Sequence, residues 1–169
     1  RRFAKSEIVP SNKDRFLRKE TLQGFVHDEA SAFFGGLAGN AGLFSTAREV
    51  AHIYQMLLNG GEIDGKRYLS KETCQLFTTE VSKISRRGLG FDKPDMQDSK
   101  KGNCASVAPA GVYGHTGFTG TCAWVDPENE LVYVFLSNRI YPDVTNRKLN
   151  QLHIRERIQE AIYGAMKKK

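Results

Sequence analysis

Val112-Tyr113-Gly114-His115-Thr116-Gly117-Phe118-Thr119-Gly120-Thr121 is the stretch around which the chain organises itself. A strand-like run passes through the small polar tripeptide His115-Thr116-Gly117, and a second run, Cys122-Ala123-Trp124-Val125, follows at once. Gly114, Gly117 and Gly120 recur at every third position, which suits neither a helix interior nor one face of a strand. Glycine inside a strand marks a bulge, or a place where a ligand or another backbone comes close. Two readings follow. The stretch is a sheet edge exposing backbone N–H groups and a hydroxyl to a substrate, or a glycine-rich turn between two strands. Spacing alone favours the turn.

Downstream, Asp126-Pro127-Glu128-Asn129 is turn chemistry, and Leu131-Val132-Tyr133-Val134-Phe135-Leu136 has the apolar strength of a central strand covered on both faces. Antiparallel strands are therefore expected around 112–117, 121–126 and 131–137. From Lys148 to Met166, Leu149, Leu152, the Arg155 stem, Ile158 and Ile162 form one stripe, which predicts a helix laid on that sheet.

Upstream, Gly35, Gly36, Gly39 and Gly42 fall in a loop that lacks the Gly-Lys-Ser/Thr ending of a phosphate-binding loop. Ser45 and Thr46, with Glu49 three residues past Thr46, start a helix whose apolar face is Val50, Ile53, Tyr54, Leu57 and Leu58. Asn59-Gly60-Gly61 stops it. Glu62 to Leu69 reads as a hairpin turning at Asp64-Gly65. Ser70 caps a further helix with Thr73, Leu76 and Phe77 inward. Gly88-Leu89-Gly90-Phe91 reads as a short strand, and Asp92 to Asn103, with Pro94, as a surface loop. Residues 1 to about 40 carry scattered apolar anchors and form an ordered meander. Within it, His27-Asp28-Glu29 could ligate a metal or relay a proton. Adjacent residues of an extended segment point to opposite sides, however, and no His-x-x-x-His partner exists, so structural hydrogen bonding is the favoured role.

A chain of 169 residues with 40% hydrophobic and 26% charged content can bury a useful core as a single domain or a large piece of one. No apolar run is long enough to span a bilayer, and no signal-peptide pattern opens the chain. The first residue is Arg1 rather than Met, so the chain reads as a processed, excised or engineered piece, and its compartment is not legible from this end. The net charge of +6 comes from Arg1-Arg2, Lys13 to Lys19, Arg86-Arg87, Lys100-Lys101 and Lys167-Lys168-Lys169. Acids are interleaved and no nucleic-acid motif accompanies these clusters, so a solvated surface is expected rather than a nucleic-acid partner. Cys74, Cys104 and Cys122 match neither a disulfide framework nor a metal site, and burial is their expected fate. No cofactor or metal is called for.

The order of landmarks resembles a known family. Gly39-x-x-Gly42-Leu43-Phe44-Ser45-Thr46-Ala47 opens a helix that ends Met56-Leu57-Leu58-Asn59-Gly60-Gly61. Tyr68-Leu69-Ser70, Gly88-Leu89-Gly90-Phe91, Gly114-His115-Thr116-Gly117, Asp126-Pro127 and Leu136-Ser137-Asn138-Arg139 follow in turn. Together they resemble the C-terminal half of the penicillin-recognising serine hydrolases, on the branch of class C β-lactamases, DD-peptidases and related esterases. The resemblance implies an α+β fold, the C-terminal part of a β-lactamase/transpeptidase-like domain covering residues 1–169 as a single partial domain. It also implies a bacterial periplasmic or cell-surface setting.

In that family a Ser-x-x-Lys pair supplies nucleophile and activating amine, and a Lys-Thr-Gly strand forms the far wall of the pocket. Here the third element is His115-Thr116-Gly117, and a neutral His puts recognition of an anionic β-lactam in doubt. By resemblance, Thr116 offers its hydroxyl to substrate and the Phe118 N–H, just past Gly117, supplies half of an oxyanion hole. No serine in the chain is followed three residues later by lysine, and no Gly-x-Ser-x-Gly is present. Tyr68-Leu69-Ser70 fits a Tyr-x-Ser pattern formally, but sits at a helix start. The expectation is thus a hydrolase parent acting on an amide or ester, with cell-wall peptide as one candidate, and a piece inactive alone. A non-catalytic β-lactamase-like binding module, appended to another enzyme such as a glycoside hydrolase, is the alternative. Without its N-terminal half, the 131–136 strand is expected to leave an open edge and self-associate.

Overall fold

The computed structural model describes residues 3–98 and 102–166, so the basic clusters Arg1-Arg2, Lys100-Lys101 and Lys167-Lys168-Lys169 lie outside the described residues. The chain is α+β, as the sequence implies. In order it forms β1 (Pro10–Lys13), β2 (Thr21–Gln23), α1 (Glu29–Phe33), α2 (Ala47–Leu58), β3 (Glu62–Ile63) and β4 (Lys66–Arg67). Then come α3 (Lys71–Thr78), β5 (Tyr113–Thr116), β6 (Cys122–Asp126), β7 (Leu131–Phe135), α4 (Lys148–Gln151) and α5 (Ile154–Met166).

Two of the sheets are small hairpins, β1-β2 and β3-β4; the third is an antiparallel sheet in the order β5-β6-β7. The register sets Gly114 opposite Trp124 and Trp124 opposite Tyr133. A Cβ on Gly114 would run into the Ala123 carbonyl oxygen and come within 2.6 Å of Trp124 Cε3, so this glycine makes room for the neighbouring strand and its indole rather than for a ligand. One face of the sheet carries Cys122, Trp124 and Tyr133 and packs on Ile158, Ile162 and Tyr163 of α5. Polar pairs fix that helix: the Tyr163 hydroxyl donates to Asp126 Oδ2 at 2.7 Å, and the Tyr133 hydroxyl to Arg155 O at 3.1 Å. α2 lies against β6 and β7, and edge-to-face rings link Tyr54 to Phe91 (6.3 Å) and Phe91 to Tyr113 (5.5 Å) on the other face.

Local signals are realised where the chemistry is local. Thr46 and Glu49 form the reciprocal capping box of α2, and Gly60 (φ +67°) and Gly61 (φ +95°) end it. Asp64 and Gly65, both at positive φ, turn β3 into β4. Ser70 Oγ accepts the Thr73 N–H at 3.1 Å and caps α3. All three cysteines are free and buried. Burial pushes the Cys104 thiol up to about 12 and the Cys122 thiol up to about 11, so both stay protonated and inert.

Several expectations need correction. β7 is not covered on both faces, since only Tyr133 is buried, although among the described residues it does leave the open edge expected without the N-terminal half. The C-terminal helix is two pieces, because His153 takes φ +49° and resets the helical phase. Leu152 is consequently exposed, and the buried stripe of α5 is Arg155, Gln159 and Tyr163. Ile53 of α2 is exposed, as are Leu76 and Phe77 of α3, where Cys74 is the buried residue. Gly88 to Phe91 bends at Gly90 (φ +104°) instead of forming a strand.

Asp92, expected in a surface loop, is fully enclosed. It exchanges backbone hydrogen bonds with Gly114 (2.7 and 3.0 Å) as a single added rung beside β5. Burial alone would raise its carboxyl. Hydrogen bonds from Asn103 and the Lys93 N–H, with the Arg86 and Arg87 guanidinium groups, outweigh that and hold it below the usual range. Arg86 and Arg87 thus turn partly inward to Asp92 while their side chains stay 34% and 53% exposed.

Candidate functional site

His115, Thr116, Gly117 and Phe118 lie where β5 runs out into the turn to β6. The Gly117 N–H donates to Thr121 O at 2.8 Å and the Gly120 N–H to Gly117 O at 2.9 Å. This closes a β-turn with Phe118 and Thr119 at its corner and Gly120 at φ +104°. Backbone groups along an antiparallel strand alternate between its two edges. Those of Gly114 point to Asp92, away from β6, so those of Thr116, two residues on, point the same way. Asp92 fills the rung at Gly114; among the described residues no strand fills the one at Thr116. The Phe118 N–H, next in line, is engaged by no hydrogen bond among the described residues.

Side-chain alternation sets His115 and Thr116 on opposite faces of the strand. His115 shares the α2 face and is exposed; Thr116 shares the α5 face and is half-buried. His115 Nδ1 lies 2.7 Å from Thr116 O. In the Nδ1–H tautomer it donates there and leaves Nε2 outward as an acceptor, so the ring donates outward only when protonated. The four residues form an open edge and not an enclosed pocket. The two concavities described, of about 170 Å³ beside Cys104 and about 240 Å³ beside Tyr163, are lined by other residues.

Two neighbours of this edge, His27 and Arg139, stand out in the sequence for other reasons, and nothing there announces their contact with Phe118. The His27 ring stacks on Phe118, with centroids 5.4 Å apart and planes within 3°. The Arg139 guanidinium sits 4.7 Å from the Phe118 ring centroid. Burial, then the Arg18 charge, lower the His27 pKa against the opposing pull of Asp14, Asp28 and Glu29, so the stacked ring is neutral at neutral pH. Such ring pairs contribute about 0.5–1.5 kcal/mol beyond the area they bury. Of the other members of the His27 cluster, Asp28 caps α1 by accepting the Ser31 N–H at 2.7 Å, and Glu29 is exposed in the first turn. Among the described residues no group of three acidic, His or Cys side chains could hold a metal.

The site strand thus belongs to an antiparallel sheet with α2 on one face and α5 on the other, and its His115-Thr116-Gly117 end lies at an edge that no strand among the described residues covers. The chain belongs to the β-lactamase family of serine hydrolases: the family model described as Beta-lactamase matches residues 6–156. It is 34% identical over 163 residues to an Escherichia coli protein named "Putative D-alanyl-D-alanine carboxypeptidase", covering 90% of this chain and 37% of that protein. A Salmonella agona protein of the same name is 35% identical over 150 residues, covering 88% of this chain and 34% of that protein. The chain thus spans about a third of the length of the curated relatives it matches.

Proposed function

We propose that this chain forms one wall of the acyl-transfer site of a serine hydrolase that cleaves an amide or ester, with D-alanyl peptide as the substrate class. Thr116 and His115 line the substrate, and the Phe118 N–H is one of two oxyanion donors. The nucleophile comes from sequence outside these residues, because no Ser-x-x-Lys pair is present. The observation that carries this reading is that, among the described residues, no strand pairs with the outward edge at Thr116, whose carbonyl only His115 meets, and no hydrogen bond engages the Phe118 N–H that follows. Phe33, Phe34, Leu37 and Leu43, each 78–81% exposed, supply an apolar band for the rest of the catalytic domain to cover.

Proline suits the second position of a β-turn, so Phe118→Pro removes the N–H while keeping the turn. In the full-length hydrolase we expect it to lower kcat by about 10²–10³, as loss of one oxyanion donor does. Phe118→Ala, which keeps the N–H, should lose less. Full activity in Phe118→Pro would overturn the assignment. The 169-residue chain alone should take up no fluorophosphonate by intact mass. A full-length protein equally unreactive would favour the non-catalytic module instead.

The free edge of β7 supports self-association. Trp124 and Tyr133 exchange hydrogen bonds by alternation, so the backbone groups of Val132 and Val134 point outward. Val134→Pro removes an outward N–H without touching the ladder and should lower the dimer fraction in sedimentation velocity.

A further inference from the structure

Phe118 is 62% exposed, so core packing does not fix its place. The turn that holds it is bounded by Gly117 and Gly120, which leave the Gly117–Phe118 peptide plane soft. Two side chains from distant parts of the chain supply what the backbone lacks.

Arg139 reaches the turn twice. Its backbone N–H donates to Thr119 O at 2.9 Å, and its guanidinium lies over the Phe118 ring. The guanidinium is itself tied down where Nη1 donates to Asn146 O at 2.9 Å and Val144 O at 3.3 Å. His27 is braced from behind. Arg18 donates to Val26 O at 2.8 Å and to His27 O at 2.9 Å, and its Nε donates to Asp14 Oδ2 at 2.6 Å. Asp14 in turn accepts the N–H groups of Phe16, Leu17 and Arg18. Asn138 further ties the end of β7 to Pro10 O and Ser11 O of β1.

The imidazole makes no hydrogen bond among the described residues, and Nδ1 is buried without a partner. A polar atom left unmade at a half-buried site is a cost that a phenyl ring would not carry. What position 27 delivers is therefore the flat ring against Phe118.

We infer that His27 and Arg139 are positioning residues, which fix the Phe118 ring and through it the direction of the Phe118 backbone N–H. This rests on the reading of that N–H as an oxyanion donor. The N-terminal hairpin, β1-β2, then belongs to the working parts of the site although it touches no substrate.

The test reads two quantities. In the full-length hydrolase, the acylation rate per titrated nucleophile should fall about 10-fold in His27→Ala with KM nearly unchanged, the size a small misplacement produces. His27→Phe should restore it to within about 2-fold, since the ring stack is kept. Arg139→Ala should fall similarly. In the 169-residue chain, NMR should show the Phe118 amide broadened and faster-exchanging in His27→Ala and native-like in His27→Phe. A Phe118 amide and acylation rate both unchanged in His27→Ala, whatever happens to Tm, would overturn the inference. A Phe118 amide that moves in His27→Ala while Phe118→Pro stays active would instead sink the oxyanion reading and leave the clamp standing.

Discussion

The β5-β6-β7 sheet with α5, and the glycine-rich segment from Phe33 to Phe44, put similar apolar side chains to opposite ends. In the first, Val112, Trp124 and Val125 are at most 1% exposed and Tyr163 seals the layer from below. In the second, Phe33, Phe34, Leu37 and Leu43 face solvent, and glycines at positive φ hold the backbone open. The difference separates a core that these residues complete by themselves from a surface whose apolar groups the described residues leave largely uncovered. Stability should therefore reside in the first region and recognition in the second.

Trp124→Ala should break the first region outright, costing about 3–5 kcal/mol by urea denaturation, the range for an aromatic removed from a packed core. Tyr163→Phe should cost about 1–3 kcal/mol, since it takes a buried donor from the Asp126 carboxylate while the ring still packs. A loss near zero would mean that α5 is held by packing alone.

His27, stacked on Phe118, adds a pH-dependent part to the stability of the chain. Its folded pKa is below the ordinary imidazole value of 6.5, so the unfolded chain binds the proton more readily. Stability contributed by the neutral ring is complete above 6.5 and is lost as the pH falls from there to the lowered folded value. The urea midpoint of the chain should drop across that window, and His27→Phe should remove that part of the drop. The Asp14 carboxyl, held low first by Arg18, loses its share only below 3.8. The two losses thus separate on the pH axis. The smallest stability effect belongs to the second region. Leu37→Ser with Leu43→Ser should change unfolding free energy by no more than about 0.5 kcal/mol each. The monomer fraction in sedimentation should rise, because an apolar patch has been removed.

What was legible in the sequence follows the same division. Thr46 with Glu49, Asn59-Gly60-Gly61 and Asp64-Gly65 act through neighbours within a few residues, so their roles can be read from the order of letters. The strand pairing of His115-Thr116-Gly117 with Cys122 to Asp126 is equally local, a hairpin across a four-residue turn. Asp92 reads as loop because its enclosure depends on Arg86, Arg87 and Asn103 folding back over it. Arg155, Ile158 and Ile162 face the core as their spacing predicts, whereas Leu152 does not, because His153 adopts a backbone angle that no periodicity encodes and breaks the stripe there. His27 against Phe118 joins the first meander to the site strand, and nothing in the intervening residues announces it.

Trp124 is the sole tryptophan of the chain and lies fully enclosed over Gly114, one position from His115. The protein therefore carries an intrinsic fluorophore beside its candidate edge. A blue-shifted emission reports an intact sheet without contributions from any other indole, and a quench on adding a boronate or peptide would signal occupancy in real time.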